Sequence, residues 1–197
     1  MKNTQQTSKK IFPAIVILLS SVGLLSAFWQ LGQKLYYLEN PGAPLSCNLS
    51  PIMDCGKILE HPLSSVFGVP NAMLGMIFFT VMLTIGVLLA LGVVATKAMR
   101  LLLSGFVSGT LLFTGWFYAV SLYDIGKICV FCIAIWSAIV PLFFLTIREY
   151  HKDFTFLPKP LRVFVESINR YPYHFIAGTY LVMIALFLLQ FRDYYFG

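Results

Sequence analysis

Charge is what this sequence has least of. Asp, Glu, Lys and Arg together make up 11% of its 197 residues, against roughly a quarter in a soluble domain. A chain so poor in charge cannot keep its surface wet, which excludes an ordinary water-soluble domain and makes lipid its main solvent. Other absences narrow the field. No Rossmann fingerprint and no haem-attachment C-x-x-C-H occur. The apolar runs lack the alternation of membrane β-strands, which excludes a barrel. The runs also lack a convincing acidic–basic pair within the membrane, which weakens a transporter reading. What is abundant is apolar: hydrophobic residues reach 58% and mean hydropathy is +0.81.

A membrane helix needs about 20 mostly apolar residues to cross roughly 30 Å of hydrocarbon. Five stretches qualify, at 11–31, 70–95, 99–122, 128–147 and 175–191. The length allows one membrane domain over 1–197, all-α. We expect a four-helix redox bundle over 11–147, with an external cysteine loop at 32–69. A cytoplasmic loop at 148–174 then leads to a fifth transmembrane helix at 175–191. The first span reads as a retained helix and not a cleaved signal, because bulky Phe28 and Trp29 stand where small residues would be expected. Gly105 and Gly109 form a G-x-x-x-G read as helix packing. In the 148–174 loop, Leu161, Val163, Phe164 and Val165 are expected at lipid headgroups.

The basic residues set an orientation. With a cytoplasmic N-terminus, Lys2, Lys9, Lys10, Lys97, Arg100, Arg148, Lys152, Lys159, Arg162 and Arg170 are cytoplasmic. Only Lys34, Lys57, Lys127 and Arg192 are not, and this ten-to-four split follows the positive-inside rule. The net charge of +6 is then loop charge that orients the protein and needs no nucleic acid. All four cysteines fall on the opposite, oxidising side, where disulfides persist.

Their spacing carries the chemistry. Cys129-Val130-Phe131-Cys132 is a C-x-x-C at a predicted helix start. Residues i and i+3 share a helix face, and the N-terminal dipole stabilises a thiolate. Cys47 and Cys55 flank Asn48–Asp54, a Pro51-containing stretch that reads as a flexible loop. A mobile outer pair and a fixed inner pair suit thiol–disulfide exchange, which needs sulfur contact. After Cys55, the residues Ile58, Leu59, Leu63, Val66 and Phe67 recur at helical spacing, predicting a short amphipathic helix in the loop. It would cap a cavity and keep Cys55 near Cys129. Electrons on such a dithiol need an acceptor, and a flat apolar quinone suits an aromatic pocket with few polar groups. Phe78, Phe131, Trp136, Leu59 and Asn71 are the candidate quinone contacts, Asn71 as hydrogen-bond donor. Phe79, Trp116, Phe117, Tyr118 and Tyr123 crowd the same ends of the spans.

Three motifs together resemble the vitamin K epoxide reductase family in its bacterial form. They are Cys47-x7-Cys55, the run Phe67-Gly68-Val69-Pro70-Asn71-Ala72-Met73-Leu74-Gly75, and the C-x-x-C. The resemblance covers roughly 11–147. It implies that Cys47 meets a thioredoxin-fold partner, Cys55 relays to Cys129, and Cys132 reacts with a quinone, ubiquinone or menaquinone. It also implies that Asn71 hydrogen-bonds the quinone head. Two positions depart from the pattern. His61 stands where many members have Ser or Thr, and Trp136 where some have a tyrosine hydroxyl. His61 reads as an interfacial residue more than as a base. No fused thioredoxin-like domain is expected after the fifth helix, so the partner is expected to be a separate periplasmic or extracytoplasmic protein.

The expected function is oxidation of a partner dithiol coupled to quinone reduction, supporting disulfide formation in exported proteins. The expected place is a bacterial cytoplasmic membrane. Blander readings stand beside it. The cysteines would staple loops or hold a metal, although seven residues between Cys47 and Cys55 exceed the usual zinc spacing. Asn71 would be a packing residue and the aromatics core or belt residues. The disulfide-bond formation protein B family also pairs four cysteines with quinone, but places its C-x-x-C before its loop pair, the reverse of the order here.

Overall fold

The computed structural model describes residues 2–42 and 45–196, with side chains over 11–42 and 45–195. Lys2, Lys9 and Lys10 of the cytoplasmic set therefore have side chains outside the described residues. The described residues are helical apart from turns and an isolated parallel bridge between Met53 and Ile128. The helices are α1 (Lys2–Glu39), α2 (Cys55–Glu60), α3 (Asn71–Ala90), α4 (Lys97–Ala119), α5 (Val130–Tyr150), α6 (Lys159–Arg170), α7 (Pro172–Gln190) and α8 (Arg192–Phe196). Five segments are long and apolar enough to cross a membrane: Ile11–Glu39, Asn71–Ala90, Lys97–Ile125, Val130–Asp153 and Pro172–Gln190. Each answers to one predicted span.

The ends moved for local reasons. α1 continues past Leu31 to Glu39: Gly32 does not take a positive φ and stays helical, and the chain turns only at Asn40-Pro41-Gly42, where Gly42 takes φ 85. α3 ends at Ala90, short of Ala95, because Gly92 takes φ +89. The Gly92 N–H then bonds Leu89 O at 3.1 Å and the Val93 N–H bonds Leu88 O at 3.0 Å, which closes a Schellman cap. α4 widens into π-helical turns over Val120–Ile125, where the Ser121 hydroxyl donates to Lys127 O at 2.8 Å.

The chain parts into two compact units, 1–93 with 116–139 and 94–115 with 140–197. In the first, α1 and α3 run antiparallel in close contact: Gly23 faces Phe79, Ala27 faces Gly75, and Val16 and Ile17 face Gly86. Small residues let the two backbones approach, the usual device of membrane helix pairs. A Cβ at Gly86 would come within 3.0 Å of the Val16 and Ile17 side chains. All four cysteines lie in this unit.

In the second unit, Val140, Phe144 and Ile147 of α5 form a core with Val165 and Ile168. Arg100 Nε donates to Asp153 Oδ2 at 2.6 Å and its Nη2 to Oδ1 at 3.0 Å. The predicted 148–174 loop thus carries a helix, α6. Leu161, Val163 and Phe164 are exposed, but Val165 is buried, against the expectation that it meets headgroups. Three positions along the helix from Ile168, it turns with it toward the core.

Candidate redox-active site

The segment expected to swing is well tied. Leu49 N–H bonds Met53 O at 2.9 Å, and Gly56 N–H bonds Asn48 Oδ1 at 3.2 Å. Asp54 caps α2, accepting from Lys57 N–H at 3.2 Å. These turns bring Cys47 and Cys55 to a Cα–Cα distance of 5.8 Å, and the two are joined as a disulfide. Both are buried, Cys47 at 4% exposure and Cys55 at 0%.

The same turns reach the second pair. Ile128 N–H donates to Ile52 O at 2.9 Å, so the loop is stitched to the strand of chain that leads into α5. Cys129 sits at the cap of α5: its carbonyl accepts from Ile133 N–H at 3.1 Å, while helical residues begin at Val130. Cys132 follows within the first turn. Both are free thiols and both are buried. Cys55 Sγ lies 3.1 Å from Cys129 Sγ. The Cys132 side chain and the N–H groups of Phe131 and Cys132 hold the Cys129 thiol below its ordinary range, against the opposing effect of burial. The site thus contains an oxidised loop pair in contact with a reduced helix pair.

The Cys132 thiol has hydrogen-bonding contacts with the Cys129 thiol and with one amide. Gln30 Nε2, on α1, donates to Cys132 Sγ at 3.2 Å. Trp136, one turn along α5, is buried and meets Tyr118 edge-on at 4.8 Å between ring centroids. Phe131 is half-buried. Phe78 is buried and packs edge-on against Phe79, 5.1 Å away. Phe117 is buried too, whereas Trp116 and Tyr123 are exposed. A groove of about 520 Å³ on α7, lined by His174, Phe175, Gly178, Thr179, Val182 and Met183, includes none of the predicted contacts.

The predicted amphipathic helix is divided. α2 ends at Glu60, and a 3-10 turn over Pro62–Ser65 follows, because Pro62 has no N–H to continue the ladder. Ile58 and Leu59 are buried, but Val66 and Phe67 are exposed and do not join that face. The Asn71 amide is occupied with this turn: Nδ2 donates to Leu63 O at 2.7 Å and Oδ1 accepts from Val66 N–H at 3.2 Å. His61 caps the turn, Nδ1 accepting from Leu63 N–H at 3.3 Å, and its Nε2 lies 3.5 Å from Asp124 Oδ2.

Two residues escaped the sequence reading. Lys34, counted as loop charge, is buried on α1, where its Nζ donates to Leu59 O and, at 3.2 Å, to Ser64 Oγ. The helix that continued past Leu31 carried it out of the loop. Gln30 was passed over within an apolar span; a lone amide among hydrophobic residues was the available signal.

Residues 14–147 match the model of the vitamin K epoxide reductase family, well over half of the chain. No curated protein matches it.

Proposed function

The chain belongs to the vitamin K epoxide reductase family, and we propose that it oxidises the dithiol of a separate thioredoxin-fold protein and reduces a quinone. Membership itself implies a thiol oxidoreductase of the membrane that reduces a quinone. The finer reading rests on one observation above all: the sulfur of Cys55, already bonded to Cys47, lies 3.1 Å from that of Cys129. Exchange requires such contact.

The cycle balances as follows. A partner dithiol reduces the Cys47–Cys55 disulfide and leaves as a disulfide. The Cys55 thiolate attacks Cys129 of an oxidised Cys129–Cys132 pair, releasing the Cys132 thiolate. Cys47 then attacks Cys55, restoring the loop disulfide and freeing Cys129. The two helix thiols deliver two electrons and two protons to the quinone and close their own disulfide. The observed arrangement, loop pair oxidised and helix pair reduced, corresponds to the state just before that last step. Phe78, Phe131, Trp136, Leu59 and Asn71 remain the proposed quinone surroundings. Trp136 lies one turn beyond Cys132 on α5 and is buried. Because Cys47 is buried, the partner reaches it only when the 45–54 turns open.

The ten-to-four distribution of basic residues supports a cytoplasmic N-terminus, with the cysteines facing outward from a bacterial cytoplasmic membrane. There the activity would supply disulfides to exported proteins. The deciding experiment follows quinone reduction by absorbance, with purified protein, a reduced thioredoxin-fold donor and ubiquinone or menaquinone. Activity that disappears in Cys132→Ser supports the relay. Absence of reduction with either quinone and several donors returns the cysteines to a stapling or metal-binding role.

A further inference from the structure

Gln30 is a polar side chain inside a membrane span, and it is 7% exposed. A buried amide is costly unless its groups are used. Here the Nε2 group is directed at one atom, Cys132 Sγ, at 3.2 Å. The position is rigid: one turn before Gln30, Ala27 is fully buried, and α1 lies so close to α3 there that a Cβ on Gly75 would touch it at 3.4 Å.

Resting on the functional reading above, we propose that the Gln30 amide is the hydrogen-bond donor that holds the Cys132 sulfur as the electron-donating thiolate. A thiol is a weak acceptor, whereas a thiolate is a charged one, so the bond strengthens when the proton leaves. The other hydrogen-bonding neighbour of Cys132 is the Cys129 thiol, and the residue is 3% exposed. The amide favours the form that reacts, in a site where water does not reach to do so. It acts on the two steps in which Cys132 bears the charge: its departure as thiolate when Cys55 attacks Cys129, and the step in which Cys132 and Cys129 give two electrons and two protons to the quinone and close their S–S bond. It has no part in the donor's reduction of the Cys47–Cys55 disulfide, whose sulfurs it does not contact.

The test separates those steps from reduction of the loop disulfide in the full chain. Gln30→Met keeps length and volume and removes the donor. With the helix pair reduced beforehand, a single turnover with a short-chain ubiquinone is expected to slow roughly 10- to 100-fold, the strength of a hydrogen bond to a charged group. KM for the quinone is expected to stay within about twofold, since a binding contact would move KM instead. Transfer from the reduced loop pair to an oxidised Cys129–Cys132, followed by alkylation gel shift, is expected to slow as well, because Cys132 is its leaving thiolate, whereas reduction of the loop disulfide by the thioredoxin-fold donor is expected at the wild-type rate. Gln30→His, which returns a ring N–H, is expected to recover part of the quinone step. Equal quinone rates in the Met variant and wild type, slowed reduction of the loop disulfide in the Met variant, or equal rates in the Met and His variants would each overturn the donor role. Wild-type protein that reduces no quinone would overturn the functional reading itself, and this inference with it.

Discussion

Asn71 offers the sharpest division between holding the fold and touching a substrate. Its amide makes two bonds to the 3-10 turn, at 2.7 Å to Leu63 O and 3.2 Å from Val66 N–H. A net intramolecular hydrogen bond contributes about 1 kcal/mol, less where water competes. The residue is half-buried and the Val66 bond is exposed, so Asn71→Ala is expected to destabilise the turn by about 1–2 kcal/mol. That is roughly a 5- to 30-fold increase in local opening. Amide hydrogen exchange at Val66 and its neighbours, read by mass spectrometry on overlapping peptides, measures the opening directly. Asn71→Asp keeps an acceptor for the Val66 N–H and loses the donor to Leu63 O, so it should protect Val66 better than Ala does. If exchange at Val66 is the same in all three proteins, the amide does not clamp the turn. A rise in KM for quinone with unchanged exchange would assign Asn71 to the quinone instead.

Three further outcomes are expected. Cys47→Ser removes the thiol that resolves the relay, so a Cys55–Cys129 mixed disulfide should accumulate once the helix pair is oxidised; non-reducing peptide mass spectrometry identifies it, and a freely alkylated Cys55 would argue against the 3.1 Å contact as the exchange point. Gly23→Ala would drive a methyl group into the Phe79 ring on the α1–α3 interface and should destabilise the protein by about 1–3 kcal/mol, seen as a lower melting temperature in detergent. Arg100→Lys should also lower the melting temperature, because an ammonium cannot reproduce the two-pronged bond to Asp153; an unchanged midpoint would show the pair to be dispensable.

What the sequence made legible divides by physics. Apolar length is a collective property, summed over some 20 residues, so all five spans were readable. Their ends depend on single residues, and there the reading slipped: Gly92 shortened α3, while Gly32 stayed helical and α1 ran on to Glu39. The cysteine pairs were legible through spacing, and the loop pair's nearness to Cys129 was expected. What was not legible is what holds it there, since the Ile52–Ile128 bond joins segments far apart in the chain through backbone atoms that every sequence possesses. Lys34 was misread for the same reason. Composition treats a lysine as loop charge, and only a folded neighbour such as the Leu59 carbonyl makes it a buried donor.

The burial of the sulfurs bears on why two pairs are needed. Cys55 and Cys129 are 0% exposed and Cys132 is 3% exposed. A thiol in solution therefore has no direct path to the helix pair, because exchange needs one sulfur against another. Under the proposed function, every electron must enter at Cys47 and cross through Cys55, whose position is set by the Asp54 cap and by the carbonyl of Leu59 held from Lys34 and Ser64. A single exposed pair would exchange with any small thiol and with any quinone that approached. Separating the entry sulfur from the exit sulfur lets the loop select the donor while the apolar surroundings of Cys132 select the acceptor. The cost is that Cys47 is itself covered, so opening of the 45–54 turns, and not the buried sulfur contact, is the step most open to control by a partner.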